Sequence, residues 1–303
     1  MTPDLDERLD AVPVLANRPR SIEELPGGLT NLNLKVTTRD GVYVVRVFRG
    51  DADLLGIDRD AEAHNTRAAA QAGVAAAVVD YRPDLGMLVI DHIAGATTYD
   101  NDSFAQPGTL ERVADACRKL HEGPRFVGDF DMFYRQDGYR STVRERRLWF
   151  PDGYDSHAEA FQRVRAALEV RREPTVPCNN DLLAGNFVDD GTALWLIDYE
   201  YSGNNDACFE LGNTCTECDL DSDQVDALVS SYYGRPLRNK LARVRLQAMV
   251  SEYGWSLWGA IQASRSRLDF DFRGWGLERY EKAVAGFTGP GFTRLLEDVQ
   301  RDD

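Results

Sequence analysis

Between Pro177 and Tyr201 the chain sets oxygen-bearing side chains at short intervals. Asp181 follows Cys178-Asn179-Asn180, Asn186 comes five residues later, and Asp198 ends the apolar run Leu194-Trp195-Leu196-Ile197. A loop carboxylate can accept the proton of an attacking hydroxyl. An amide oxygen in the same loop and a carboxylate at the end of the next strand can share a metal ion. That is the equipment of a phosphoryl-transfer site, with Asp181 as base and Asn186 and Asp198 on Mg²⁺. Taken singly, Asn-Asn-Asp is also an ordinary polar turn before a strand. The ordered set points to chemistry.

Such a site needs a unit that holds phosphates above it. From Ile22 to Phe48 the sequence alternates, which predicts strands over Leu32–Val36 and Val42–Phe48 joined at Arg39-Asp40-Gly41, whose Asp-Gly is a hairpin signal. Asp58 to Ala72 reads as an Ala-rich helix ended by Gly73, and two short strands follow near Val78–Tyr81 and Met87–Ile90. Pro26-Gly27-Gly28-Leu29-Thr30-Asn31 lies between the first strands, where its glycines allow close approach to phosphate oxygens. It is not a P-loop, because the Gly-Lys-Ser/Thr ending is missing. Arg46 shares a strand face with Val42, Val44 and Phe48 and needs a counter-charge there, which phosphate or Glu62 of the next helix would supply. A snorkelling Arg on an edge strand is the competing reading. Ile90-Asp91-His92-Ile93 stands where a kinase hinge offers backbone groups to adenine, so Asp91 and Ile93 become nucleotide-binding candidates and His92 a hinge-lining residue.

Beyond Ala94 the sequence predicts mainly helix, apart from strands flanking Asp189-Asp190-Gly191. Leu110, Val113, Ala114, Cys117 and Leu120 form one helical stripe, and a long helix is expected over Arg238–Ala263 with two shorter ones after it. The expected organisation is an α+β, two-lobed chain: a β-rich nucleotide-binding lobe over 1–93 and a helical catalytic and substrate lobe over 94–303.

Composition bounds the partners. The chain has 303 residues, 43% hydrophobic and 28% charged, with 35 basic against 50 acidic residues and a net charge of −15. So acidic a surface repels nucleic acid and anionic lipid and attracts cationic small molecules. No secretory signal or membrane-length apolar run is visible, and five cysteines, an odd number, suit a reducing cytoplasm. Cys215 and Cys218 form a Cys-x-x-Cys pair without the partners a zinc site needs, so they are read as buried thiols. A monomer and a homodimer both stay open.

These residues together resemble the choline/ethanolamine kinase family, within the wider group that includes aminoglycoside phosphotransferases. The likeness runs from Gly27 to about Tyr280. Gly-Gly-Leu-Thr-Asn and Val-Val-Arg-Val-Phe are similar to the family's phosphate loop and cation-bearing strand. Cys178 to Asn186 resembles its catalytic loop, and Ile197 to Ser202 its metal-binding strand and turn. Phe209-Glu210-Leu211-Gly212-Asn213 and Glu217 continue in register. Trp255-Ser256-Leu257-Trp258, followed by Leu268-Asp269-Phe270-Asp271-Phe272, looks like the helix that walls the choline pocket.

The resemblance implies a protein-kinase-like fold, ATP and Mg²⁺ between the lobes, and transfer of the γ-phosphoryl group to an amino alcohol, choline first. Gly28, Thr30, Asn31, Arg46 and Glu62 would serve the nucleotide. Trp255, Trp258 and Trp275 would form an ammonium cage with Glu217 as its carboxylate. Trp255 and Trp258, at i and i+3, can present rings on one helix face. Aromatic faces suit a quaternary cation that has no N–H to donate, although tryptophans in a helical lobe also serve as core. Ethanolamine, thiamine, an aminoglycoside or an amino sugar are alternative acceptors, and a non-catalytic nucleotide-binding protein is the alternative of another class. The departure that raises it is Asn179, where the family's loop has His. Asn also offers a donor and an acceptor to tie the loop, and the base and both metal ligands remain, so an active enzyme is expected.

Overall fold

The alternation from Ile22 to Phe48 becomes three strands: β1 (Ser21–Glu24), β2 (Asn31–Thr37) and β3 (Val42–Phe48). The computed structural model describes residues 3–16, 19–28, 30–49 and 52–302. With β4 (Val78–Arg82) and β5 (Met87–Asp91) these strands form an antiparallel sheet in the order β1-β2-β3-β5-β4. The turn between β2 and β3 is closed by Thr38 N–H donating to the Gly41 carbonyl at 2.9 Å. Val45 and Val47 of β3 face a core with Leu34, Val36, Met87 and Val89, which Leu9, Val12 and Leu15 cover from the end of α1 (Pro3–Asp10) and the turn beyond. Alternation therefore sends Arg46 to the opposite face. After the short α2 (Ala52–Leu55), the predicted helix forms as α3 (Arg59–Gln71). Asp58 caps it by accepting from the N–H groups of Asp60 and Ala61, and Gly73 follows its end at φ +78°.

The remainder is mainly helical: α4 (Thr109–His121), α5 (Met132–Glu145), α6 (Ala158–Val170), α7 (Ala207–Glu217), α8 (Ser222–Tyr233), α9 (Arg238–Arg265), α10 (Phe272–Thr288) and α11 (Phe292–Asp298). The stripe on α4 is buried at Val113, Ala114, Cys117 and Leu120. From Val250 to Gln262 every residue of α9 is buried, the mark of a helix surrounded by protein. It approaches α10 closely: a Cβ on Gly259 would lie 2.9 Å from the Gly276 Cα, so only glycine lets Trp258 and Trp275 meet across this crossing.

Two small ladders correct the expectation that strands flank only residues 189–191. β7 (Thr175–Cys178) pairs with β10 (Gly203–Asp206), and β6 (Thr97–Thr98) pairs with β8 (Phe187–Asp189), which pairs with β9 (Leu194–Leu196). Strands of two to four residues, one holding Pro177 and another reading Gly-Asn-Asn-Asp, are too short and polar to show a period. They matter for position. The loop 179–186 hangs between β7 and β8, and residues 198–202 hang between β9 and β10.

All five cysteines are free and buried, and burial pushes the Cys215 thiol up to about 12. Among the described residues no helix is long and apolar enough to cross a membrane.

Candidate active site

The catalytic loop is held by buried polar side chains. Glu210 of α7 accepts the N–H groups of Asn179 (2.8 Å) and Asn180 (2.6 Å), one on each carboxylate oxygen. Asn180 adopts a left-handed backbone at φ +68°, a conformation costly for most residues and least so for glycine, asparagine and aspartate. Its amide offsets that cost by donating to the carbonyls of Cys178, Tyr201 and Gly203. Asn179, in the place of the family's His, donates to the carbonyls of Ile197 (3.1 Å) and Asp198 (2.9 Å) and accepts from the Asp181 N–H (3.1 Å). It thus ties the loop to the strand-end segment from both ends of its amide. His121 and Cys178 also approach Glu210, His121 at 3.7 Å. Both Glu210 oxygens already accept backbone N–H groups and His121 meets the Tyr232 hydroxyl at 2.7 Å, so this cluster supports the loop and does not resemble an open metal site.

Asp181 stands at the centre. Burial, then the charges of Glu217, Asp198 and Glu200, push its carboxyl well above the usual carboxylate range, while Arg279 opposes them. A carboxylate so placed is a stronger proton acceptor once ionised. Asn186 donates Nδ2 to the Asp181 carbonyl at 2.7 Å, which commits the amide nitrogen and leaves Oδ1 as the end suited to a cation. Asp198 sits at φ +64°, and one carboxylate oxygen accepts from Arg46 at 2.6 Å. An amide oxygen and a carboxylate, on segments joined by the Ile197 N–H donating to the Asn186 carbonyl at 3.0 Å, are the hard donor types that Mg²⁺ takes, so these residues fit the ion.

The nucleotide side is an ion network. Arg46 Nη1 bridges Asp198 and Glu62 (2.7 Å), and Arg59 bridges Glu62 (2.7 Å) and Glu200 (3.2 Å). Burial works against the Arg46 charge, but Asp198 and Glu62 outweigh it and hold the guanidinium above its ordinary value. The pairing of Arg46 with Glu62 expected from sequence is present; the bridge to Asp198 adds to it. Thr30 and Asn31 turn their side chains to Glu200, at 2.8 Å from each, and so latch the glycine loop to the strand-end segment. Gly28 lies at φ +84°, where a Cβ would meet the Asn31 carbonyl oxygen at 2.8 Å. At the expected hinge, Asp91 N–H is spent on the Ala77 carbonyl and His92 N–H on that of Val42. The Asp91 carbonyl and Ile93 N–H remain as the groups this segment can offer to an adenine.

The three predicted tryptophans converge with Tyr201. Trp255 meets the Tyr201 ring at 4.9 Å, Trp258 donates Nε1–H to the Tyr201 hydroxyl at 2.7 Å, and the Trp258 and Trp275 rings lie 5.3 Å apart. Trp255 also packs on Phe130 and Tyr139, so it belongs to the core as well as to the cluster. Glu217 differs from the sequence expectation of a carboxylate awaiting a substrate cation. Arg279 donates to it at 2.5 Å, donates to Glu252 at 3.3 Å, and covers the Trp275 ring at 4.1 Å.

Sequence reasoning assigned no role to Tyr201, Glu200, Glu210, Arg59, Glu252 or Arg279. Tyr201, Glu200 and Glu210 lie inside the quoted motifs, and a carboxylate two residues past the strand-end Asp198 was a visible signal. Arg279 lies 62 residues from Glu217, and no spacing rule joins them.

Residues 21–246 match the family described as APH, phosphotransferase enzyme family. A choline/ethanolamine kinase family protein from Mesorhizobium loti is 32% identical, with a TM-score of 0.86 over 98% of both chains. Choline kinase LicA from Streptococcus pneumoniae is 25% identical, with a TM-score of 0.79 over 93% of this chain and 97% of that one. Ethanolamine kinase of Drosophila melanogaster is 28% identical over 290 residues, covering 81% of this chain; the match spans 54% of the fly enzyme.

Proposed function

The chain belongs to the phosphotransferase enzyme family and, within it, to the choline/ethanolamine kinases, and from that footing we propose that it transfers the γ-phosphoryl group of ATP to the hydroxyl of choline. In this reading Asp181 orients the choline hydroxyl and accepts its proton. Asn186 and Asp198 hold Mg²⁺, which when bound neutralises charge on the phosphate oxygens. Arg46, set by Glu62, binds phosphate, with the Gly28 loop closing over it and the Asp91 carbonyl and Ile93 N–H meeting adenine. Trp255, Trp258, Trp275 and Tyr201 receive the trimethylammonium group, with Glu217 as the carboxylate of that wall. Catalysis then rests on positioning and charge neutralisation more than on covalent chemistry.

The observation that carries the reading is the convergence of four aromatic rings, to which Glu217 is joined through Arg279, the guanidinium that covers the Trp275 ring at 4.1 Å and donates to Glu217 at 2.5 Å. Ethanolamine has one observation in its favour. Glu252 Oε1 is buried without a hydrogen-bond partner among the described residues, and a primary ammonium could donate to it. The non-catalytic alternative loses its motive, because Asn179 makes the loop bonds that a tying residue must make. The test is ADP formation with ATP, Mg²⁺ and a panel of choline, ethanolamine, thiamine and an aminoglycoside. Choline-dependent ADP with the highest kcat/KM is expected; a higher kcat/KM for a polyhydroxylated amine, or no acceptor-dependent ADP, would overturn the reading.

A further inference from the structure

An amine site walled by a guanidinium poses an electrostatic problem. Arg279 lies over the Trp275 ring and donates to Glu217, so the cation that this wall already holds is its own. With Glu217 alone the pair would sum to zero, and the wall would offer a substrate cation no net attraction. Glu252 changes the sum. It is one turn before Trp255 on α9, is 3% exposed, and accepts from Arg279 Nη1 at 3.3 Å. Two carboxylates on one guanidinium leave one negative charge.

We propose that Glu252 is a specificity-determining residue of the amine site, sharing Arg279 with Glu217 so that the wall keeps one uncompensated negative charge for the substrate cation. This rests on the amine-kinase reading above. Besides Arg279 and Glu217, Glu252 feels Lys282. Lys282 is bound to Asp219 and Glu278, both at 2.9 Å, and so does not cancel the remaining charge. Three buried polar atoms in this neighbourhood, Glu252 Oε1, Arg279 Nε and Trp255 Nε1, have no hydrogen-bond partner among the described residues. Unpaired buried polar atoms are costly and mark places that water or a ligand completes.

The same geometry makes the charge of the wall depend on pH. Burial, opposed by Arg279 and reinforced by Glu217, pushes the Glu252 carboxyl up to about 7. Below that value Glu252 is protonated, Arg279 cancels Glu217, and the wall is neutral. Above it the wall carries its negative charge. KM for the amine should therefore fall as pH rises from 6 to 8.

The experiment is steady-state kinetics of the parent and Glu252→Gln with choline and ATP at pH 6, 7 and 8. At an effective dielectric of about 20, one charge still shifts cation affinity by roughly tenfold from a distance of about 12 Å, and by more from nearer. Glu252→Gln should raise the choline KM by about that factor at pH 8, with the loss in KM rather than kcat. It should also flatten the KM–pH dependence and leave the ATP KM within about twofold. Glu252→Asp, which keeps the charge, should restore the pH dependence.

A folded Glu252→Gln with parental choline KM and parental KM–pH slope would overturn the proposal while choline turnover preserves the kinase reading. Absence of amine-dependent ADP in the parent would overturn both. Should Glu252→Gln fail to fold, calorimetry of choline binding to the parent at pH 7 in two buffers replaces it. Proton release on binding is expected, and none would overturn the proposal.

Discussion

The two halves of the site use one device: a guanidinium clamped by two carboxylates. On the nucleotide side Arg46 joins Glu62 and Asp198; on the amine side Arg279 joins Glu217 and Glu252. They differ in what a ligand does to the clamp. Asp198 is the proposed metal ligand, so the Arg46 clamp is one from which a metal ion and phosphates can draw a member. The Arg279 clamp keeps its members and acts through its net charge. A buried ion pair is weak evidence for stability, because desolvation consumes most of the attraction. Two such clamps, both with members whose charges act on the proposed base Asp181, fit better as machinery held ready for charged ligands.

Substitutions can separate the halves. The largest effect is expected at Asp181, the proposed base. Asp181→Asn should fold and bind ATP while turnover falls by about a hundredfold or more, the usual scale for a lost general base. Near-normal turnover of the folded variant would remove the assigned role. Next, Asp198→Ala should lose Mg²⁺-dependent ATP affinity and activity together, by a factor approaching that of Asp181→Asn, because a hard cation loses one of its oxygen ligands. Parental Mg-ATP affinity in that variant would make Asp198 structural and break the contrast drawn above.

On the amine side a desolvated cation–π contact is worth up to about 2 kcal/mol, so Trp258→Ala should weaken choline use by roughly tenfold to thirtyfold. ATP binding should be spared. Unchanged choline kinetics would return Trp258 to packing alone. The smallest effect is expected at the departure from the family loop. Asn179→His should change the rate by less than about tenfold, or 1.4 kcal/mol, since Asn179 already ties residues 197 and 198 to the loop. An inert parent revived by His would contradict this.

The contrast between the halves also explains what the sequence could disclose. The sheet was legible because its strands alternate, and α4 because its stripe repeats. The catalytic loop was legible because Asp181, Asn186 and Asp198 lie within 18 positions and are set by strand ends on either side. Arg46 announced its partner, since a cation on an apolar strand face requires one and Glu62 heads the next helix.

The amine side is assembled from α7, α9 and α10, and helices brought together by tertiary packing leave no local trace of which charges meet. Glu217 and the tryptophans could be nominated, but the guanidinium between the carboxylates could not. β6, β7 and β10 escaped for a related reason: their partners lie 25 to 92 residues away, as Cys178 does from Gly203 and Thr97 from Asp189.

If the rings and Glu217 receive the amine as proposed, choline is phosphorylated in preference to its unmethylated counterpart. A single reaction with ATP, Mg²⁺ and equal concentrations of choline and ethanolamine, followed by ³¹P NMR, measures that preference directly. The phosphocholine resonance should grow first and dominate. A spectrum dominated by phosphoethanolamine, or one in which neither product forms while the protein is folded and binds ATP, would contradict it.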